Sequence, residues 1–197
     1  MDYRRMSFAL VEWIETPRLV LRCPYPGDGE ALYQAVAESL SALRLWPDSL
    51  PWAQKPQSAD RTENYCQSCF GAFVMGLAWP MLMVDKTNGT LVGSVGFHRI
   101  DSSVPEFELG YWCRSSYQGR GLMSEAVAAL SDTALLHIPK LRLVCRVDVR
   151  NAASCRVVEK ANYVFKQSVR EASQDKSAVV AVRIYERWSL PHTEQAA

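Results

Sequence analysis

The nine residues Tyr117-Gln-Gly-Arg-Gly-Leu-Met-Ser-Glu125 constrain this chain more than any other segment. An apolar run at 108–113 leads into them, and an Ala- and Leu-rich run of helical period leads out. Strand, glycine arm and helix in immediate succession have a chemical use. Gly119 and Gly121 present backbone without a Cβ, so a ligand can approach closely. The first amides after Gly121 have no acceptor within the helix and stand at the positive end of its dipole. Such a terminus suits an anion, and a pyrophosphate in particular.

Known anion-binding patterns separate on spacing. A Walker loop requires four residues between its glycines and then Gly-Lys-Ser/Thr, which this chain lacks. A dinucleotide fold requires Gly-x-Gly-x-x-Gly in its first strand–helix–strand unit and an acidic residue closing the next strand. Asp148 meets the second requirement, but Ser124 stands where the third glycine belongs. More than one hundred residues precede the arm, and too few follow it to build the parallel sheet. A tight strand-to-helix turn without a ligand is the remaining structural reading.

Around the arm the hydrophobic period alternates between two and 3.6. Residues 18–25 predict a first strand, broken by Pro-Gly-Asp-Gly at 26–29 before a helix over 28–40. Residues 41–57 hold three prolines and two tryptophans and read as a loop, after which Ser58 is placed to cap a helix running to 79. Runs at 81–85, 90–101 and 105–114 predict three consecutive antiparallel strands. A helix over 121–137, a buried strand at 141–149, a short helix at 152–161 and strands near 163–170 and 178–188 complete the series. The fold class is therefore mixed α/β, with a central, largely antiparallel twisted sheet of about seven strands flanked by about four helices.

No internal repeat and no linker-like composition interrupts the 197 residues, so 1–197 reads as a single domain with its core at about 15–190. A formal net charge of +1 gives no electrostatic footprint for nucleic acid. No apolar run of about 18 residues and no export signal is present, which makes a soluble, cytoplasmic protein without a membrane partner the simplest expectation. In that setting Cys23, Cys66, Cys69, Cys113, Cys145 and Cys155 are expected to be reduced, mostly buried thiols. Cys66 and Cys69 form one CxxC, but no second pair or His cluster completes a metal site, and no metal is expected.

LGYWCRSSYQGRGLMSEA at 109–126, followed by a buried strand and then NAASCRVVEKANYVF at 151–165, resembles the acyl-CoA-binding segments of the GNAT superfamily of N-acetyltransferases. With TPRLVLR at 16–22, the chain is most similar to the RimJ/RimL branch, over about residues 15–190. The resemblance implies a GNAT-like fold, acetyl-CoA as co-substrate and a possible homodimer. It places the pyrophosphate on the amides of Gln118, Gly119, Arg120, Gly121, Leu122 and Met123. Ser116 stands where the family has Gln or Arg, which leaves a backbone cradle unaffected. Asn151 and Ser154 match the family's pantetheine-contacting segment. Asn162 replaces a glycine at a helix end, where Asn tolerates the left-handed conformation. Many relatives carry a tyrosine general acid where this chain has Val158, which leaves Ser154 as the candidate proton donor.

The implied reaction is direct attack of an amine on a thioester, with no cysteine nucleophile. An α-amine, with a pKa of about 7.7–8.0, needs only a mild base, unlike a lysine at about 10.4. Glu108 is the first candidate base, with Glu106 two residues earlier on the same strand face as a substrate contact. A backbone amide near Tyr111, Trp112 or Cys113 would polarise the thioester carbonyl. Each assignment has a plainer reading: Glu108 as a solvated strand residue, Ser154 as a helix cap, and Arg120, whose fork suits a phosphate, as an exposed turn residue. His98 and His137 are assigned no role. Trp46 and Trp52, in the loop after the first helix, are candidates to line the acceptor site or to cap the core. The acceptor is expected to be a protein N-terminus of ribosomal type, with a small amine such as an aminoacyl nucleotide, polyamine or drug as an alternative. A non-catalytic acetyl-CoA sensor is a third reading.

Overall fold

The computed structural model describes residues 11–101, 105–173 and 175–188. In chain order the elements are β1 (Trp13–Glu15), β2 (Leu19–Arg22), α1 (Gly29–Leu43), α2 (Ala59–Val74), β3 (Trp79–Asp85), β4 (Leu91–Asp101) and β5 (Glu106–Cys113), then α3 (Leu122–His137), β6 (Arg142–Asp148), α4 (Ala152–Lys160), β7 (Val164–Ala172) and β8 (Val179–Trp188). The strands form one sheet in the order β1-β2-β3-β4-β5-β6-β8-β7. Every neighbouring pair is antiparallel except β5 and β6. That exception follows from the connection, since parallel neighbours need a crossover and α3 provides it.

The parallel pairing is short. It joins Glu106–Leu109 to Arg142–Cys145 and stops, although both strands continue. Beyond that point β5 stays paired to β4 as far as Cys113, and β6 to β8 as far as Asp148. The sheet is therefore split between β5 and β6, both of them interior strands.

Alternation along the strands sorts side chains onto two faces. Trp79, Met81 and Met83 of β3, Phe97 of β4, and Phe107 and Leu109 of β5 join α3 and α4 residues such as Val127, Leu130 and Val158 in the larger core. Leu82 and Leu91 turn the other way and meet Leu32, Ala35, Val36 and Cys66 of α1 and α2 in a smaller one. Glu108, Gly110 and Trp112 share that second face, whereas Tyr111 points with Phe107 and Leu109 toward α3 and α4.

Most expected elements are present, and three differences have physical causes. The sheet has eight strands rather than seven, because Trp13–Glu15 pairs with β2; three residues are too few to show a period. The second helix ends at Val74 rather than 79, where Gly76 takes φ 69° and the Leu77 amide turns back to Ala72, so Trp79 begins β3. The first helix continues to Leu43, shortening the loop, which contains one 3₁₀ turn at Pro51–Gln54. Ser58 caps α2 by accepting from the Arg61 amide, and Asn162 takes φ 62° after α4.

α1 and α2 touch at Gly29, where a Cβ would lie 2.6 Å from the Glu63 backbone, and Thr62 donates to the Gly29 carbonyl at 2.7 Å. Gly29→Ala is expected to destabilise the protein by roughly 1–3 kcal/mol through overpacking, read as a lowered midpoint in denaturant unfolding.

Candidate active site

The arm between β5 and α3 is held in an unusual backbone state by its glycines. Gly119 and Gly121 have φ 74° and 77°, and the space where a Gly119 Cβ would sit is open. Gly121 occupies the N-cap of α3 without a side-chain cap, so the amides that follow it are left for a ligand. The Leu122 and Met123 side chains are buried in the larger core, so these residues offer only backbone outward. Arg120 donates to the Ser116 carbonyl at 2.7 Å and lies 4.6 Å from the Tyr117 ring centre, which commits its guanidinium within the arm. Gln118 likewise reaches the Cys113 carbonyl at 3.3 Å.

Two clamps fix the arm from outside. On one side Glu125, in the first turn of α3, accepts from the Thr16 hydroxyl at 2.6 Å and from Arg18 through its amide and Nε at 2.9 and 2.6 Å. Arg18 also donates to the Arg120 carbonyl at 2.8 Å. Burial works to raise the Glu125 pKa, but the Thr16 and Arg18 hydrogen bonds prevail and hold it below the ordinary carboxylate value. On the other side Glu38 of α1 accepts from the Ser116 amide at 3.0 Å and Arg114 Nε at 2.6 Å, and Ser39 accepts from the Ser115 amide at 2.9 Å. The Ser116 hydroxyl and amide, with Arg114, hold the Glu38 carboxyl down to about 2. Spacing alone gives Thr16, Arg18, Glu38, Ser39 and Glu125 no role, since their contacts span 76 to 109 positions.

Where β5 and β6 part, a cleft of about 1050 Å³ opens. Glu108 and Ser154 both line it, as do Tyr111, Trp112, Asn151, Trp46 and Trp52. Asn151 is the N-cap of α4, accepting from the Ser154 amide at 3.0 Å, so Ser154 is not the cap. The Ser154 hydroxyl instead meets the Tyr111 hydroxyl at 2.7 Å. Val158 is fully buried. On the opposite face Glu108 lies across from His98 of β4, with 3.6 Å between Oε1 and Nε2. His98 also lines the cleft, a position that depends on the β4–β5 register and is invisible to spacing alone.

The remaining candidates divide. Trp52 packs on Trp112, ring centres 6.1 Å apart, and joins the smaller core as well as lining the cleft. Glu106 is ion-paired with Arg142 where β5 and β6 are still joined, and it does not line the cleft. Cys113 is half-buried at the end of β5, its thiol pushed up to about 11 by burial. Within the cleft wall Asp148 is held by Arg150 and Glu171 by Arg146. No group of three or more potential metal ligands occurs among the described residues, and no helix there is long and apolar enough to cross a membrane.

A split parallel pair beside a glycine arm, with a carboxylate on one face and a hydroxyl on the other, offers an anion cradle next to groups that can accept and donate a proton. The chain belongs to the GNAT acetyltransferase family: residues 18–164 match the model described as an acetyltransferase (GNAT) domain. It is an acetyl-CoA-dependent N-acetyltransferase. The ribosomal-protein-serine acetyltransferase of Escherichia coli (strain K12) is 29% identical over 156 residues, covering 79% of this chain and 84% of that one. RimL, the ribosomal L7/L12 alpha-N-protein acetyltransferase solved in complex with coenzyme A, superposes with a TM-score of 0.79 at 25% identity, covering 90% and 98% of the two chains. The microcin C7 self-immunity acetyltransferase MccE, solved with acetyl-CoA and AMP, shares the fold with a TM-score of 0.78 at 18% identity over 88% and 93%.

The Glu38 clamp has a definite pH signature. Its folded pKa, about 2, lies below the ordinary 4.5, so its contribution to stability is complete above about pH 4.5 and is lost as pH falls through 2. The unfolding midpoint of the protein is therefore expected to exceed that of Glu38→Gln by a constant margin at neutral pH, and the margin to shrink between pH 4.5 and 2, measured by thermal unfolding across that range.

Proposed function

We propose that this enzyme acetylates the α-amino group of a protein N-terminus, of ribosomal-protein type, by direct attack on the thioester of acetyl-CoA. The observation that carries the reading is that Glu108 and Ser154 reach one cleft from opposite faces of the sheet, at the point where β5 and β6 part. The activities in the names of the E. coli relative and of RimL support this acceptor class.

In this reading the amides from Gln118 to Met123 hold the pyrophosphate, and Asn151 and Ser154 flank the pantetheine arm. Glu108 takes the proton of the attacking amine. An α-amine is partly neutral at pH 7, so one carboxylate is a sufficient base. A backbone amide at 111–113, on the edge of β5 that has lost its β6 partner, steadies the oxyanion. Ser154 then protonates the departing thiolate. Trp46 and Trp52 form the wall along which the acceptor peptide lies. The whole chain works as one domain with its core at 15–190.

Thiol release from acetyl-CoA with short peptides tests this. Peptides with a free N-terminus are expected to turn over, while N-terminally blocked peptides with a free lysine, polyamines and aminoacyl adenylates are not; a higher kcat/KM on any of these overturns the acceptor assignment. Glu108→Gln is expected to lower kcat by about 10²-fold at pH 7, and part of the loss returns as pH rises through the amine pKa near 8, where the amine no longer needs a base.

A further inference from the structure

The Ser154 hydroxyl has one hydrogen-bond partner among the described residues, the phenol of Tyr111 at 2.7 Å. The same phenol reaches the Ser154 main-chain carbonyl at 2.9 Å. A carbonyl only accepts, so the single phenol proton has two oxygen destinations, with the buried Cys145 thiol also facing it. With that proton on the carbonyl, Ser154 donates to the phenol oxygen and its own proton is occupied. With the phenol proton turned onto Ser154 Oγ, the serine proton has no protein acceptor among the described residues and is free for an atom entering the split.

The location gives this choice a use. Tyr111 stands on β5 two residues past the last β5–β6 pair, and its hydroxyl bridges from there to α4. Its ring packs against the larger core, which fixes the direction of the phenol. Burial holds the phenol pKa well above its ordinary value, so it remains a donor throughout the working range. Val158, buried in the core, offers no competing hydroxyl.

We propose that Tyr111 is a positioning residue for acetyl transfer, turning its hydroxyl onto Ser154 Oγ and so aiming the serine proton at the sulfur of the departing coenzyme A. This rests on the role given to Ser154 in the proposed function. The amine nitrogen bonds to the thioester carbon, and the C–S bond breaks with its electron pair on sulfur. Glu108 takes the amine proton, sulfur takes the Ser154 proton, and water relays the proton held by Glu108 to the serine oxygen, so the net transfer is from amine to sulfur. Tyr111 loses no proton; its hydrogen bond moves from carbonyl to Oγ and stabilises the charge that develops there.

A double-mutant cycle on kcat for thiol release tests the coupling, with acetyl-CoA affinity by calorimetry as the check on an intact site. Tyr111→Phe is expected to lower kcat about tenfold in the wild-type background and less than about twofold in the Ser154→Ala background, with KM for acetyl-CoA nearly unchanged. Equal losses in both backgrounds, or wild-type kcat in Tyr111→Phe beside an impaired Ser154→Ala, overturn this inference and leave the proposed function standing. Wild-type kcat in Ser154→Ala removes the serine from the mechanism and this inference with it. Should Tyr111→Phe lose acetyl-CoA affinity, 3-fluorotyrosine at position 111 keeps the hydroxyl and changes its acidity; a shifted kcat supports the coupling and an unchanged kcat overturns it.

Discussion

Four residue pairs join β5 to β6, and the rest of the molecule is arranged around where they end. The crossover through α3 makes these strands parallel, and their outer edges are already paired, β5 with β4 and β6 with β8. Parting the strands after Leu109 and Cys145 therefore breaks few hydrogen bonds and leaves each strand anchored on its other side. What it exposes is backbone along an inner edge, deep in the sheet, where an extended polar ligand can supply the missing partners. Antiparallel neighbours on both flanks make the opening permanent.

The pleat then distributes the chemistry. Successive residues of one strand face opposite sides, so Glu108 and Tyr111 look toward different helix pairs although three positions separate them. The carboxylate shares its side with His98 and the tryptophan loop, and the phenol shares the other with Ser154. In the proposed mechanism, proton uptake from the acceptor and proton delivery to the leaving group thus fall on opposite faces of one sheet, reached through one gap. The arm at the end of β5 is kept rigid by Glu125 and Glu38, one in its own helix and one in α1.

Local features were legible in the amino-acid order because their causes are local. The glycine arm, the Ser58 cap, the left-handed Asn162 and the three-strand meander each depend on residues within a few positions. Features built on register or on distant partners were not. Trp13–Glu15 is a strand only because β2 lies beside it, and the expected helix end at 79 gave way to Gly76 and to the pull of Trp79 into the core. The spacing that singles out Glu108 says nothing of His98, which arrives through cross-strand pairing. Ser154 was found by motif, but its partner Tyr111 lies 43 residues earlier, and the Arg18 and Glu38 clamps lie farther still. Glu106 shows the converse: a residue on the same strand face as Glu108, yet committed to Arg142.

The contact between α1 and α2 at Gly29 and Thr62 sets up a division of labour along the chain. Both helices are tied to each other there, and α1 is tied again to the arm through Glu38 and Ser39, so the segment at 44–58 hangs between two mutually braced posts. Trp52 and the fully buried Ala53 tie its middle to the smaller core, whereas its exposed residues make no hydrogen bond or ion pair with the arm. If this segment forms the acceptor wall as proposed, preference for a new amine can evolve, or be grafted, by rewriting its exposed residues while the arm is inherited unaltered.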